Sequence, residues 1–211
     1  DERAFPEAEL RAMWRHTAAG LGLDVASGEA LAYDALFDEM VRSGTLKLAV
    51  VIAAQGPEAF GMPEMFTPMQ HINANRALRK LVTLISDGRY SGVSYGAAIG
   101  HVTPEAARGG DIIRLMTGDL LHLRFRARRI DLLDPVAFRD GKVELAEPAL
   151  LEAREELATE RLARLCARQR RVAATNRMVH CTDAAHGVVP QVVWDEATVD
   201  FWDVAKVAGV R

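Results

Sequence analysis

Asp87-Gly88-Arg89-Tyr90-Ser91-Gly92-Val93-Ser94-Tyr95 follows the run Leu81-Val82-Thr83-Leu84-Ile85, with Ser86 between them. The apolar run reads as a buried strand, and the nine residues after it read as a turn with two glycines, an arginine and two serines. A strand that ends this way holds hydroxyls and backbone N–H groups at a sheet edge, within reach of a small anionic ligand. Read blandly, the same stretch is a tight turn closed by serine hydroxyls. Ser91 gains a chemical role only if a cation lies near enough to stabilise its alkoxide. Arg89 is either a surface charge or a holder of a carboxylate.

Working outward, Leu46 to Ala54 is a second β-rich run. The two strands and the helices around them predict an α/β fold. Residues 7–19 form a helix with Leu10, Met13 and Trp14 on one face, and residues 28–41 form another that Ser43-Gly44 ends. Residues 69–79 are a short helix. Thr103-Pro104-Glu105-Ala106-Ala107 reads as a short helix capped by Thr103. Ile112 to Leu115 is expected as a strand, and Leu120 to Phe125 with Ile130 to Leu133 as a hairpin. Residues 148–172 form one charged helix, acidic early and basic late as the helix dipole prefers, and the remainder is a tail. The domains expected are a helical segment at 1–44, a β/α domain at 45–145, and the charged helix and tail at 146–211.

A chain of 211 residues with 49 % hydrophobic residues can bury a substantial core. A net charge of −3 offers no basic field for nucleic acid. No run approaches a membrane span of about 18 apolar residues, and residues 1–20 lack the apolar stretch of a secretion signal. Cys166 and Cys181 have no metal-binding spacing and read as cytoplasmic thiols. The chain starts at Asp1 rather than Met, as a fragment or processed piece would.

A second candidate site lies in Gly56-Pro57-Glu58-Ala59-Phe60-Gly61-Met62-Pro63-Glu64-Met65. Glu64 is either a solvated glutamate or a carboxylate ligand for Mg²⁺, which prefers hard oxygen donors. His101 in Gly100-His101-Val102 reads as a structural histidine, and the scattered His71, His122, His180 and His186 form no metal motif. Arg124, Arg126, Arg128 and Arg129 make a basic stripe, read as a solvated strand face ahead of an anion or subunit contact.

Three motifs together carry a resemblance. They are Gly56-Pro57 with Gly61-Met62-Pro63-Glu64-Met65; Ser86-Asp87-Gly88-Arg89-Tyr90-Ser91-Gly92; and Gly100-His101-Val102-Thr103-Pro104-Glu105-Ala106-Ala107 followed by Gly109-Gly110 and Gly118-Asp119. In order and approximate spacing, over residues 46–134, they resemble the dihydroxy-acid and sugar-acid dehydratases. Gly92-Val93-Ser94 looks more like the sugar-acid branch. The resemblance implies the family's C-terminal domain: a compact, β-barrel-like, swivelling β/β/α domain with flanking helices, closing over an N-terminal domain. It implies a hydro-lyase that removes water from a 2,3-dihydroxy acid to leave a 2-keto acid, using Mg²⁺ and an iron–sulfur cluster. It also implies Ser91 as the base, Glu64 as a Mg²⁺ ligand, and Arg89, Gly92 and Ser94 as substrate-binding residues. The cluster cysteines and a further metal-binding residue belong to the N-terminal domain, which has no match here. The chain is therefore expected to be catalytically incomplete alone, to need that domain or subunit as partner, to form homo-oligomers, and to be cytoplasmic. A non-catalytic binding or assembly module of the same fold is the alternative, and a phosphate-binding module built on the glycine turn is a third reading, opposed by the lack of a Gly-Lys-Ser/Thr motif.

Overall fold

The computed structural model describes residues 5–92, 94, 96–173 and 184–188, with the side chains of 168–173 outside that description. Three helices open the chain: α1 (Glu7–Gly20), α2 (Val25–Glu29) and α3 (Tyr33–Ser43). The expected helix over 28–41 is thus two pieces. Asp24 sets the earlier start, because its side chain accepts from Ala26 N–H and caps α2. Gly44 ends α3 in the left-handed conformation, as its sequence position predicts.

The central sheet is parallel, in the order β1 (Leu48–Ile52), β3 (Val82–Ser86), β5 (Ala97–Ile99). Leu48 pairs with Val82, Ile52 with Ser86, and Ile85 with Ile99. The middle strand, β3, is almost wholly buried, which explains its unbroken apolar run. β1 is an edge strand, and its Val50 is exposed. Between β1 and β3 come α4 (Pro57–Phe60), β2 (Glu64–Met65), α5 (Thr67–Ala74) and α6 (Arg76–Leu81). Asn75 divides the helix expected over 69–79: it leaves the helical conformation and caps α6 through Ala77 and Leu78 N–H. β2 pairs in parallel with β4 (Arg89–Tyr90), and the hairpin of β6 (Leu121–Arg124) and β7 (Arg129–Leu132) forms as expected. α7 (Pro135–Arg139), α8 (Pro148–Glu152) and α9 (Glu155–Ala173) complete the described elements.

Several expectations need correction. Among the described residues the strands lie in three open sheets, and no barrel closes. Residues 111–114 form a 3₁₀ turn and not a strand. Ile112 and Ile113 are both buried, which the side-to-side alternation of a strand does not allow on a one-sided surface. Thr103 caps no helix: the helical turn is the short 3₁₀ segment at 106–108, and Glu105 precedes it. The helix over 148–172 breaks at Ala153–Arg154, where Arg154 forms a two-pronged pair with Asp119 at 2.6 and 2.8 Å. The expected tail, residues 173–211, falls outside the described residues except for Ala173, which ends α9, and 184–188. Among the described residues no helix is long and apolar enough to cross a membrane.

The largest core cluster joins Leu10, Trp14, Leu36 and Met40 of α1 and α3 to Leu46, Leu81 and Val82 at the entry to the sheet. The opening helices therefore share a core with the strands. A second cluster packs Ala158 of α9 against Ala106, Ile112 and Ile113. Arg161 of α9 donates to the carbonyls of Ile113 and Leu115 at 2.5 and 2.7 Å. The first half of the charged helix is thus bound into its own chain.

Trp14 seals the first cluster. Its indole N–H donates to the Val25 carbonyl at 2.9 Å, and its ring lies so close to Gly28 that a Cβ there would come within 2.1 Å of it. Gly28→Ala should therefore lower the unfolding free energy by about 2 kcal/mol through overpacking, read from the urea midpoint.

Candidate active site

The turn after β3 is organised by Asp87, which is fully buried. One carboxylate oxygen accepts from Gln55 N–H at 2.9 Å. The other accepts from Ala54 N–H at 3.0 Å and Ala106 N–H at 2.9 Å. Three segments far apart in sequence meet on this side chain: the end of β1, the glycine turn and the 104–107 loop. Ser86 adds a second tie. Its hydroxyl donates to the Ile52 carbonyl at 2.6 Å and accepts from Gly88 N–H at 2.9 Å.

Glu105 closes the same junction from the other side. Its side chain is 1 % exposed and accepts from Glu58 N–H at the start of α4. Gly56 makes room for it, since a Cβ at that position would lie 2.0 Å from a Glu105 carboxylate oxygen. Burial pushes the Glu105 carboxyl up to about 7, with the charges of Asp87 and Glu58 adding to the shift while the Glu58 N–H and Arg108 oppose it. Arg108 stands 3.7 Å away and is the nearer partner of Glu58, at 2.7 Å.

This junction sets β2 beside β4, with Glu64 opposite Arg89 and Met65 opposite Tyr90. The Arg89 guanidinium donates to the Met62 carbonyl at 2.9 Å and to the Glu64 carboxylate at 3.3 Å. Both side chains are close to half exposed, so the pair contributes well under about 1 kcal/mol to stability. The carboxylate that Arg89 holds is thus Glu64 itself. Met62 has a left-handed backbone, with φ of 61°, which turns its carbonyl toward Arg89. Tyr90 faces the other way. Its hydroxyl is buried, and that burial makes it a weaker acid than an ordinary phenol.

Ser91 follows Arg89 by two residues and is buried. Its carbonyl accepts from both the N–H and the hydroxyl of Ser94, at 3.1 and 2.6 Å. The bland reading of the turn, closure by a serine hydroxyl, therefore holds for Ser94. Gly92 is exposed, with open space where a side chain would stand. Ser91, Arg89 and Glu64, separated by up to 27 residues in sequence, thus occupy one corner of the fold.

Residues 11–187 match the profile of the family described as dihydroxy-acid/6-phosphogluconate dehydratase, C-terminal. The chain belongs to this family. The match reaches well beyond the motifs at 46–134 and takes in the opening helices and α9, in keeping with the cores they share with the sheet. The relatives include a dihydroxy-acid dehydratase of Clostridium novyi, 42 % identical over 110 residues, which are 52 % of this chain and 19 % of that protein. One from Pyrococcus abyssi is 41 % identical over 116 residues, 53 % of this chain and 21 % of the relative. One from Carboxydothermus hydrogenoformans is 37 % identical over 149 residues, 69 % of this chain and 26 % of the relative. The matched stretch thus spans about a fifth to a quarter of these relatives' length. All three carry the dihydroxy-acid name, whereas Gly92-Val93-Ser94 pointed toward the sugar-acid branch.

Asp87 and Glu105 were legible only as letters in motifs. A charged residue between apolar strand and glycine is the one signal that sequence offers for such a bracket. The Glu105 geometry has a measurable consequence. An unfolded glutamate titrates near 4.5, so the folded chain holds an extra proton between there and about 7. Stability is then fully present at low pH and falls as pH rises through that window, by up to about 3 kcal/mol from this group. Glu105→Gln should flatten this slope in urea titrations at successive pH values between 4.5 and 7.

Proposed function

We propose that this chain is the C-terminal part of a dehydratase that takes water from a 2,3-dihydroxy acid and leaves a 2-keto acid, in a site completed by the rest of a longer polypeptide or by a partner subunit. The observation that supports this reading is the β2–β4 pairing, which sets Glu64 opposite Arg89, two residues before Ser91 in the chain. In the reaction the Ser91 oxygen takes the proton from C2, the hydroxyl leaves from C3, and the resulting enol shifts its hydrogen to give the keto acid. Arg89, Gly92 and Ser94 are proposed to receive the substrate, with Gly92 leaving space for it beside Ser91.

Glu64 suits Mg²⁺ as a single hard oxygen donor open to solvent. It does not make a metal site alone: among the described residues no group of three or more histidine, cysteine, aspartate or glutamate side chains comes together. Further ligands are proposed to come from the rest of the longer polypeptide or from the partner subunit. When bound, Mg²⁺ would neutralise the negative charge that grows on the substrate as its proton leaves. Arg89 donates to one Glu64 carboxylate oxygen at 3.3 Å and so helps hold the side chain in position. An iron–sulfur cluster does not fit the described residues. Cys166, exposed on α9, is the one cysteine among them, and Cys181 lies outside the described residues. Such a cluster is proposed for the remainder of the enzyme, as are homo-oligomer formation and a cytoplasmic location. A swivelling motion over the N-terminal domain is proposed on the same grounds.

In the complete enzyme Ser91→Ala should lower kcat by at least about a thousandfold while KM changes little, because a base acts in the transition state. Near-normal turnover in steady-state assays would remove Ser91 from that role. Glu64→Gln should raise the Mg²⁺ concentration needed for half-maximal activity by at least about tenfold, since loss of one direct or second-layer contact costs that much. An unchanged Mg²⁺ titration would leave Glu64 without the assigned task.

A further inference from the structure

A depression of about 550 Å³ lies between the loop that follows β5 and the β6–β7 hairpin. Four nitrogen-bearing side chains border it: His101, Arg124, Arg128 and Arg129. Arg124 and Arg129 stand directly opposite each other in the hairpin ladder, an arrangement that repels. Buried Asp131 resolves this, accepting from Arg124 at 2.7 Å and from Arg129 at 2.8 Å. One carboxylate fixes two guanidiniums and leaves one positive charge uncompensated. Burial alone would raise the Asp131 carboxyl, but the two arginines outweigh it and hold it below the ordinary range.

The other two side chains have no such explanation. Among the described residues neither the Arg128 guanidinium nor the His101 ring has a hydrogen bond or ion pair. Both residues adopt the left-handed backbone, at φ of 52° and 58°. That conformation comes easily to glycine and poorly to a residue with a side chain. At the hairpin end Arg128 only closes a turn, its N–H donating to the Phe125 carbonyl at 3.1 Å, a task glycine performs at less cost. Two disfavoured backbones thus bring two nitrogen-bearing side chains to the same hollow. Phe125 lies beside them and is 72 % exposed.

We propose that this hollow binds the phosphate group of a small phosphorylated metabolite, with Arg124, Arg128 and Arg129 around the oxygens and Phe125 against the organic part. Three guanidiniums sharing one internal carboxylate leave a charge of about +2, which matches a phosphate monoester dianion better than a single carboxylate. A polynucleotide suits the hollow less well, for the chain carries a net charge of −3 and Phe125 stands there without a second exposed aromatic ring. The loop at the rim also holds the glycine turn, since His101 N–H donates to the Gly88 carbonyl at 2.9 Å. The inference does not depend on the dehydration chemistry.

Calorimetric titration of the purified chain with inorganic phosphate, glucose 6-phosphate and AMP tests it, with sodium chloride at matched ionic strength as control. Saturable binding of at least one phosphate ester is expected, and the tighter of the two esters tells a sugar phosphate from a nucleotide. Arg128→Gly should weaken that binding at least tenfold and melt no lower than the parent, since glycine relieves the backbone. Arg128→Asn, which also accepts the left-handed conformation, should weaken it equally. Unchanged affinity in both variants, or heats no larger than those with chloride, would overturn the assignment.

Discussion

The buried carboxylate of Asp87 is the constraint from which the rest of the described site follows. A carboxylate in the interior is costly unless its oxygens are satisfied, and three backbone N–H groups satisfy this one. Those N–H groups belong to the residues just after β1 and to the first residue of the 3₁₀ turn at 106–108, so a single side chain ties these segments to the glycine turn. Backbone donors near a strand terminus would otherwise lack partners. The bracket therefore answers two requirements at once: it pairs orphan donors and removes the freedom of the loops that carry the polar residues.

Glu105 works against the same background with the opposite electrostatic consequence. Its neighbours are the buried Asp87 and the glutamate at 58, and burial among them favours the protonated form. Two acidic side chains so near each other are tolerable because one is bound by three N–H groups and the other keeps a proton to higher pH than an ordinary glutamate. Gly56 is the sequence cost of that packing. From this rigid base β2 and β4 extend for only two residues each, long enough to bring Glu64 alongside Arg89 and leave both facing solvent.

Membership of the dehydratase family is consistent with a corner built this way. Glu64 and Arg89 face solvent while Ser91 is buried, and the matched stretch is only about a fifth to a quarter of the relatives' length. The cationic hollow behind the glycine turn has a different origin. It arises from the hairpin, whose Arg124 and Arg129 are forced opposite each other by register and held there by Asp131.

The residue order was sufficient for elements whose cause is local. The apolar run at β3, the amphipathic α1, the stop at Gly44 and the alternation of β6 each follow from side-chain periodicity or a backbone preference, and the three motifs declared the family. Where reading failed, the cause was non-local. Ile112 and Ile113 look like strand residues until α9 buries both, and the helix over 148–172 looks continuous until Asp119 draws Arg154 aside. The arginine stripe is largely exposed, as its spacing predicts, but nothing in that spacing shows His101 across the hollow or Asp131 beneath it. Composition and periodicity thus determined the kind of fold and its polar motifs. Only tertiary packing decided that Asp87 is a bracket, that Arg89 meets Glu64 and that the barrel stays open, because hydrogen bonds and charge pairs between distant segments depend on distances that one-dimensional order does not contain.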